Sequence, residues 1–170
     1  MTRAIAYVGL GSNLAHPRHQ LARALKRIAR LPNTRIVALS RNFMTAPIDV
    51  EDAQPDYVNA VVAVSTALKP RALLAQLLAI ERRHGRRRPR KSMRKLARSL
   101  DLDLLLYGRV RMRVRSLELP HPRMHERAFV LCPLVDVAPT ATIPGHGLAR
   151  RLAHGLRDQR IAVTRRHVIH

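Results

Sequence analysis

Asp101 and Asp103 lie two residues apart inside Leu100-Asp101-Leu102-Asp103-Leu104-Leu105-Leu106-Tyr107. In an extended strand, successive side chains alternate between faces, so the two carboxylates project together while Leu102 and Leu104 take the other face. Like charges at that range repel and are costly to hold on a half-buried sheet. A divalent cation offsets the cost, and a hard ion such as Mg²⁺ is often held by one or two carboxylates plus substrate phosphates. Directly upstream, the stretch from Arg82 to Arg98 carries a dense run of arginine and lysine. An acidic pair beside such a run suggests polyphosphate chemistry. The same spacing also serves two solvated aspartates on an exposed strand face, and spacing alone leaves both readings open.

Other residues could join that chemistry. Gly9-Leu10-Gly11-Ser12-Asn13-Leu14 has no glycine at its sixth position and no following Gly-Lys-Ser/Thr, so it is neither a dinucleotide fingerprint nor a P-loop. Its glycines suit a tight turn or a close backbone approach, with Ser12 and Asn13 bonding locally. Tyr57 and Asn59 share one face of a valine-rich strand. Glu81 falls in the last turn of a helix, where an acid opposes the dipole; spacing favours an ion pair with a neighbouring arginine. His121 and His125 have the spacing of a helical metal pair, but Pro122 interrupts the helix they would need and the sequence offers no third ligand.

The elements that must position these groups follow from periodicity. Ala4 to Val8 reads as a buried strand. Pro17 opens a helix with Leu21, Leu25 and Ile28 on one face, and Pro32-Asn33 stops it. Thr34 to Ser40 and Tyr57 to Thr66 read as strands, with Phe43 to Ile48 extended and Asp49 to Pro55 an acidic loop. Pro70 opens a second helix, with Leu73, Leu74, Leu77, Leu78 and Ile80 making a broad apolar face and Gly85 placed just past its end. Residues 82–98 read as a basic mobile loop, since self-repulsion and Pro89 oppose regular structure. After the aspartate strand, Gly108 permits a turn, and Val110 to Leu117 alternates as a return strand. A short helix begins near Met124, Phe129 to Val137 is core, and Pro139 to Gly147 is a loop. Leu148, Leu152 and Leu156 mark a last helix, and Ile161 to Ile169 is a basic tail with edge-strand character.

A length of 170 residues suits a single domain, 1–170, with a real core. No apolar run approaches a membrane span, and Met1-Thr2-Arg3 leads straight into a strand rather than a signal peptide. The single cysteine, Cys132, excludes an intrachain disulfide and points to the cytoplasm. The net charge of +21 attracts polyanions. Aromatic residues make up 3% and tryptophan is absent, which argues against a nucleic-acid binder built on stacked bases. The arginines are spread through the whole chain, so the total charge alone does not define a partner. Nothing in the sequence specifies an oligomer, and a monomer is the expected state.

Four segments, in order, resemble one family. They are Gly9-Leu10-Gly11-Ser12-Asn13-Leu14, Gln54-Pro55-Asp56-Tyr57-Val58-Asn59-Ala60, Arg98-Ser99-Leu100-Asp101-Leu102-Asp103, and Pro120-His121-Pro122-Arg123-Met124 continuing through Arg127-Ala128-Phe129-Val130-Leu131 to Pro133-Leu134. Together they resemble 6-hydroxymethyl-7,8-dihydropterin pyrophosphokinase. The resemblance implies an α/β (α+β) ferredoxin-like sandwich, its mostly antiparallel sheet covered by helices. It implies transfer of pyrophosphate from ATP to the pterin hydroxymethyl group with release of AMP, a step of folate biosynthesis. On that basis Asp101 and Asp103 hold two Mg²⁺ ions, and Arg86 and Arg98 act with them on the phosphates. Tyr57 and Phe129 stack the pterin, Asn59 reads its edge, and Thr45, Ala46 and Ile48 complete the pocket. Glu81, His121 and Arg127 join Arg86 and Arg98 on the ATP side.

The chain departs from the family at one place. The family's Arg-Trp-Gly-Pro-Arg before the paired aspartates is here Arg94-Lys95-Leu96-Ala97-Arg98. That change leaves open a divergent paralogue that binds a pterin or nucleotide with altered substrate or without turnover. A basic RNA-binding module is a third reading, opposed by the missing aromatic motif and by paired sheet carboxylates that would repel a phosphate backbone.

Overall fold

The computed structural model describes residues 2–14, 16–46, 55–84 and 99–164. In chain order the elements are β1 (Ala4–Ser12), α1 (Pro17–Ile28), β2 (Thr34–Leu39), β3 (Phe43–Thr45), β4 (Tyr57–Thr66), α2 (Pro70–Arg83) and β5 (Asp101–Tyr107). There follow β6 (Met112–Val114), β7 (Leu117–Leu119), a 3-10 turn (Met124–Glu126), α3 (Ala128–Val137), β8 (Thr142–Ile143), β9 (Gly147–Leu148), α4 (Ala149–Gly155) and β10 (Ala162–Val163).

The main sheet runs β10-β3-β4-β1-β5, with β2 also paired to β4, and every pairing is antiparallel. Two βα units joined this way, with β4 and β1 central, give the ferredoxin-like α/β arrangement. β2 and β3 share one side of β4 and are separated by a break at Ser40. There the Ser40 amide donates to the Val61 carbonyl and the Ser40 hydroxyl accepts from the Val61 amide, both at 2.9 Å. A side chain thus replaces a missing ladder bond.

α1 and α2 cover one face of the sheet. Leu21, Leu25 and Ile28 of α1 and Leu73, Leu77 and Ile80 of α2 pack with Val8, Leu10, Val62, Leu102 and Leu104. Pro17 and Pro70 each start their helix, where the absent N–H costs nothing, and Asn33 at φ 52° takes the left-handed turn that ends the first unit. The other face is covered by α3 and α4, with Leu131, Leu134, Ile143 and Ala149 packed on Val61 and Leu105. The apolar run at 129–137 is therefore a helix. Pro133 lies inside it and removes the donor a regular helix would offer to the Phe129 carbonyl.

Two expectations change. The segment from Val110 to Leu117 is not a return strand on β5. It splits at a two-residue turn, Arg115-Ser116, and β6 pairs with β7 in a separate hairpin. The loop from Pro139 to Gly147 contains β8 and meets β9, which pair with each other. The Gly108 turn is present, with φ 52°. The basic segment falls mostly at 85–98, outside the described residues, as does Gly85.

At the end of α2, His84 is buried, with its Nδ1 2.9 Å from Gln20 Oε1. Burial, then the fields of Arg23 and Arg27, hold its pKa below the usual imidazole value. Below about 6.5 the unfolded chain takes up a proton that folded His84 refuses, so stability rises with pH across that window. Urea midpoints are expected to fall from about pH 7.5 to about pH 5.5, with a smaller fall in His84→Gln; an equal fall in that variant would remove His84 as a source.

Candidate active site

Register places the chemistry at one end of the sheet. Asp101 lies opposite Gly11 of β1, Gly11 opposite Asn59 of β4, and Asn59 opposite Phe43 of β3. One row therefore crosses four strands. In the next row Asp103 lies opposite Gly9, and Gly9 opposite Val61. Directly paired residues share a face, so both aspartates, Asn59 and Phe43 belong to the α3 side. Both carboxylates are half-buried.

The glycines keep that face clear. A Cβ on Gly11 would sit 3.2 Å from Asn59 Oδ1, and one on Gly9 would touch Leu105 at 3.4 Å. Two strand spacings separate Asn59 from Asp101, about 10 Å, and the residue between them has no side chain. The glycines thus form a flat strip within a strand, a close backbone approach rather than a turn. Asn59 is buried and fixed, with Nδ2 donating to Thr45 Oγ1 at 3.0 Å. Tyr57 pairs with Thr45 one step nearer the sheet end, and Ala46 follows, exposed. Phe129 opens α3 on the same side, and the Arg127 guanidinium lies 5.5 Å from its ring centroid.

β5 is an edge strand, and its outer side is covered from two directions. Glu81 Oε1 of α2 accepts from the Leu102 amide at 2.7 Å, and the carboxylate is buried. The His121 amide donates to the Leu105 carbonyl at 2.9 Å. Glu81 therefore grips the backbone between the two aspartates. His121 follows a cis Leu119-Pro120 bond, and its Nδ1 accepts from the Arg123 amide at 3.3 Å. Burial, then Arg127, push the His121 pKa down, while Asp101 pulls it up less strongly. Burial lowers Arg127 as well, against the pull of Asp103 and Asp101. His121 is thus a neutral ring at pH 7 and Arg127 a partly buried cation, both in the field of the aspartates.

Two hydroxyl bonds tie the site together. Ser12 Oγ donates to the Ser99 carbonyl at 2.6 Å, and Ser99 Oγ donates to the His84 carbonyl at 2.8 Å. Asn13 Nδ2 reaches the Pro55 carbonyl at 3.3 Å. Ser12 and Asn13 therefore act mainly across the fold instead of locally; Ser12 also makes a longer local contact to the Leu14 carbonyl. The sequence carries no signal for these bonds, nor for Phe43 and Arg123 as neighbours of the site.

The structure thus brings Asp101, Asp103, His121 and Arg127 into one electrostatic cluster. It joins Thr45, Tyr57 and Asn59 at the other end of the strip, and sets Glu81 behind Leu102. Ile48, Arg86 and Arg98 lie outside the described residues. His125 stacks on His146, centroids 3.9 Å apart, instead of joining His121. Among the described residues no group of three His, Cys, Asp or Glu side chains could hold a metal ion. The two aspartates suit an ion completed by substrate oxygens.

Comparison with known proteins bears on the same stretch. The family model for 7,8-dihydro-6-hydroxymethylpterin-pyrophosphokinase (HPPK) matches residues 7–139. A 2-amino-4-hydroxy-6-hydroxymethyldihydropteridine pyrophosphokinase of Pseudomonas aeruginosa is 47% identical over 148 residues, covering 86% of this chain and 89% of the relative. One from Haemophilus influenzae is 42% identical over 156 residues, covering 92% and 95%. The fold matches a crystal structure of Plasmodium falciparum HPPK-DHPS with TM-score 0.70 and 12% identity, over 92% of this chain. The chain spans 45% of that longer protein. The family match runs from β1 past the end of α3, through every described element that carries the aspartate row, and the chain belongs to the 7,8-dihydro-6-hydroxymethylpterin-pyrophosphokinase family.

Proposed function

We propose that the chain transfers pyrophosphate from ATP to the hydroxymethyl group of 6-hydroxymethyl-7,8-dihydropterin and releases AMP, within folate biosynthesis. The observation that carries the reading is the row Asn59–Gly11–Asp101, an amide and a carboxylate facing each other across a strip without side chains. A flat heterocycle held at the amide end extends its alcohol toward the carboxylate end.

In this reading Tyr57 and Phe129 stack the pterin. Asn59 reads its edge with Oδ1, while Thr45 holds the amide from behind and Ala46 and Ile48 close the pocket. The pterin hydroxyl oxygen attacks the β-phosphorus. The bond from that phosphorus to the oxygen bridging to the α-phosphate breaks, AMP departs carrying that oxygen, and the hydroxyl proton passes to solvent water. Asp101 and Asp103 would hold two Mg²⁺ ions. Such ions neutralise polyphosphate and lower the pKa of a bound hydroxyl. His121, with Nδ1 engaged by Arg123, presents Nε2–H as a donor to the nucleotide. Arg127 offers its fork to phosphate oxygens, and Arg86 and Arg98 are proposed to do the same. Glu81 serves the ATP side by fixing the strand that bears the aspartates. No helix among the described residues is long and apolar enough to cross a membrane. We place the chain in the cytoplasm, acting as a monomer on these two small substrates.

Incubation with ATP, Mg²⁺ and the pterin should yield AMP only when the pterin is present. ADP in its place would mean ordinary monophosphoryl transfer, and no turnover with pterin binding retained would mean a binding paralogue. Asp101→Asn and Asp103→Asn are each expected to lower kcat at least about a hundredfold, since several kcal/mol of charge stabilisation go with the metal site. Circular dichroism should show both variants folded, and full activity in either would remove the metal assignment. Gly11→Ala puts a methyl group against Asn59 Oδ1, so the KM for the pterin should rise about three- to tenfold, the worth of one disturbed hydrogen bond. The KM for ATP should change little; equal changes in both would argue for general disruption.

A further inference from the structure

On the opposite side of the sheet from the aspartates, α1 and α2 enclose a solvent-facing cleft of about 450 Å³. The two helices follow the antiparallel strands β1 and β4, so they too run antiparallel, and the Gln20–His84 bond joins the start of one to the end of the other. Arg23 and Arg27 form a stripe along α1 with Lys26 beside it, Arg30 follows just past the helix end, and Arg83 lines the cleft from α2. Ala79 leaves the α2 wall low, and Leu31 and Pro32 border the cleft as well. Among the described residues, no carboxylate and no aromatic ring lines it.

We propose that this cleft is a second binding site, separate from the catalytic one, for a compact anion carrying two or more linked phosphate groups. Like charges four apart on a helix destabilise it, and five cations here face one another without a lining carboxylate. An anion removes that repulsion. The volume is that of a small-molecule site. Arg23 to Arg27 spans about 6 Å of helix axis, and Arg30, two residues past the helix end, lengthens the row. The row is longer than a single orthophosphate and suits a short phosphate chain. Arginine forks grip phosphate oxygens two at a time. The absence of aromatic lining gives bases nothing to stack on, which favours a compact anion over single-stranded RNA. His84 follows the lining Arg83 in sequence but is not itself part of the lining, and it feels two of the same charges. It is buried, its Nε2 has no partner among the described residues, and Arg23 and Arg27 act on its ring. A bound anion would oppose that field. This inference does not depend on the catalytic assignment, because none of the lining residues belongs to the aspartate site.

Inorganic tripolyphosphate is the probe, titrated by calorimetry without Mg²⁺ into the wild-type chain and into the triple variant Arg23→Gln, Arg27→Gln, Arg30→Gln. Removal of three charge-assisted contacts is expected to weaken binding about tenfold or more, with kcat and the KM for ATP unchanged. Tripolyphosphate should raise the Tm of the wild type more than that of the variant. Single Gln variants, each weakening binding about two- to threefold, replace the triple one if it fails to fold. Undiminished binding in the variant, or none in the wild type, overturns the site. Orthophosphate binding as tightly as tripolyphosphate overturns the linked-phosphate assignment. A short RNA that binds more tightly than tripolyphosphate, and is lost in the same variant, overturns the compact anion in favour of nucleic acid.

Discussion

The bond from the Leu102 amide to the buried Glu81 carboxylate is the contact on which the site's geometry depends. An edge strand normally leaves every second N–H to solvent. Here that donor lies between two aspartates, where a backbone shift would move both carboxylates at once. Without that acceptor the buried Leu102 N–H would be left unsatisfied at a cost of about 1–3 kcal/mol, and the bond couples the last turn of α2 to the strand. The unfavourable place of an acid at a helix C-terminus is thereby explained: Glu81 serves the neighbouring strand at the expense of its own helix.

From that fixed strand the rest follows by register. β1 lies flat against β5 and presents glycines where the aspartates and Asn59 need room. β4 carries Asn59 and Tyr57 at its open end, and β3, paired along the same side of β4 as β2, brings Thr45 under the amide. The two faces of the sheet then divide the work. α1 and α2 supply a large aliphatic core behind the site, and α3 closes the chemical side with Phe129 and the adjoining Arg127.

Much of this was legible in the sequence where one physical rule dominated. The 3.6-residue period and the leading prolines mark α1 and α2, and the two-residue alternation marks Asp101 and Asp103 as one face. α3 was not legible as a helix, because it is wedged between the sheet and α4 and its apolar residues mark no single face. Val110 to Leu117 satisfied the strand period, but alternation says nothing about the partner, and the turn at Arg115-Ser116 pairs the segment with itself. Ser12 meets Ser99 across 87 residues, and Glu81 meets Leu102 across 21. Neither contact leaves a local pattern. The roles of individual site residues came from the ordered resemblance, since periodicity could only supply their faces.

The serine pair at the base of the site has an evolutionary consequence. The His84 carbonyl and Ser99 are hydrogen-bonded to each other, and Ser99 is bonded in turn to the end of β1. The points where the chain leaves α2 and enters the aspartate strand are therefore clasped together by groups outside the intervening sequence. Whatever lies between them can change in length and composition without pulling on Asp101. Such a clasp turns the stretch into an interchangeable module. It gives a physical reason why Arg94-Lys95-Leu96-Ala97-Arg98 can stand where the resemblance leads one to expect a different segment.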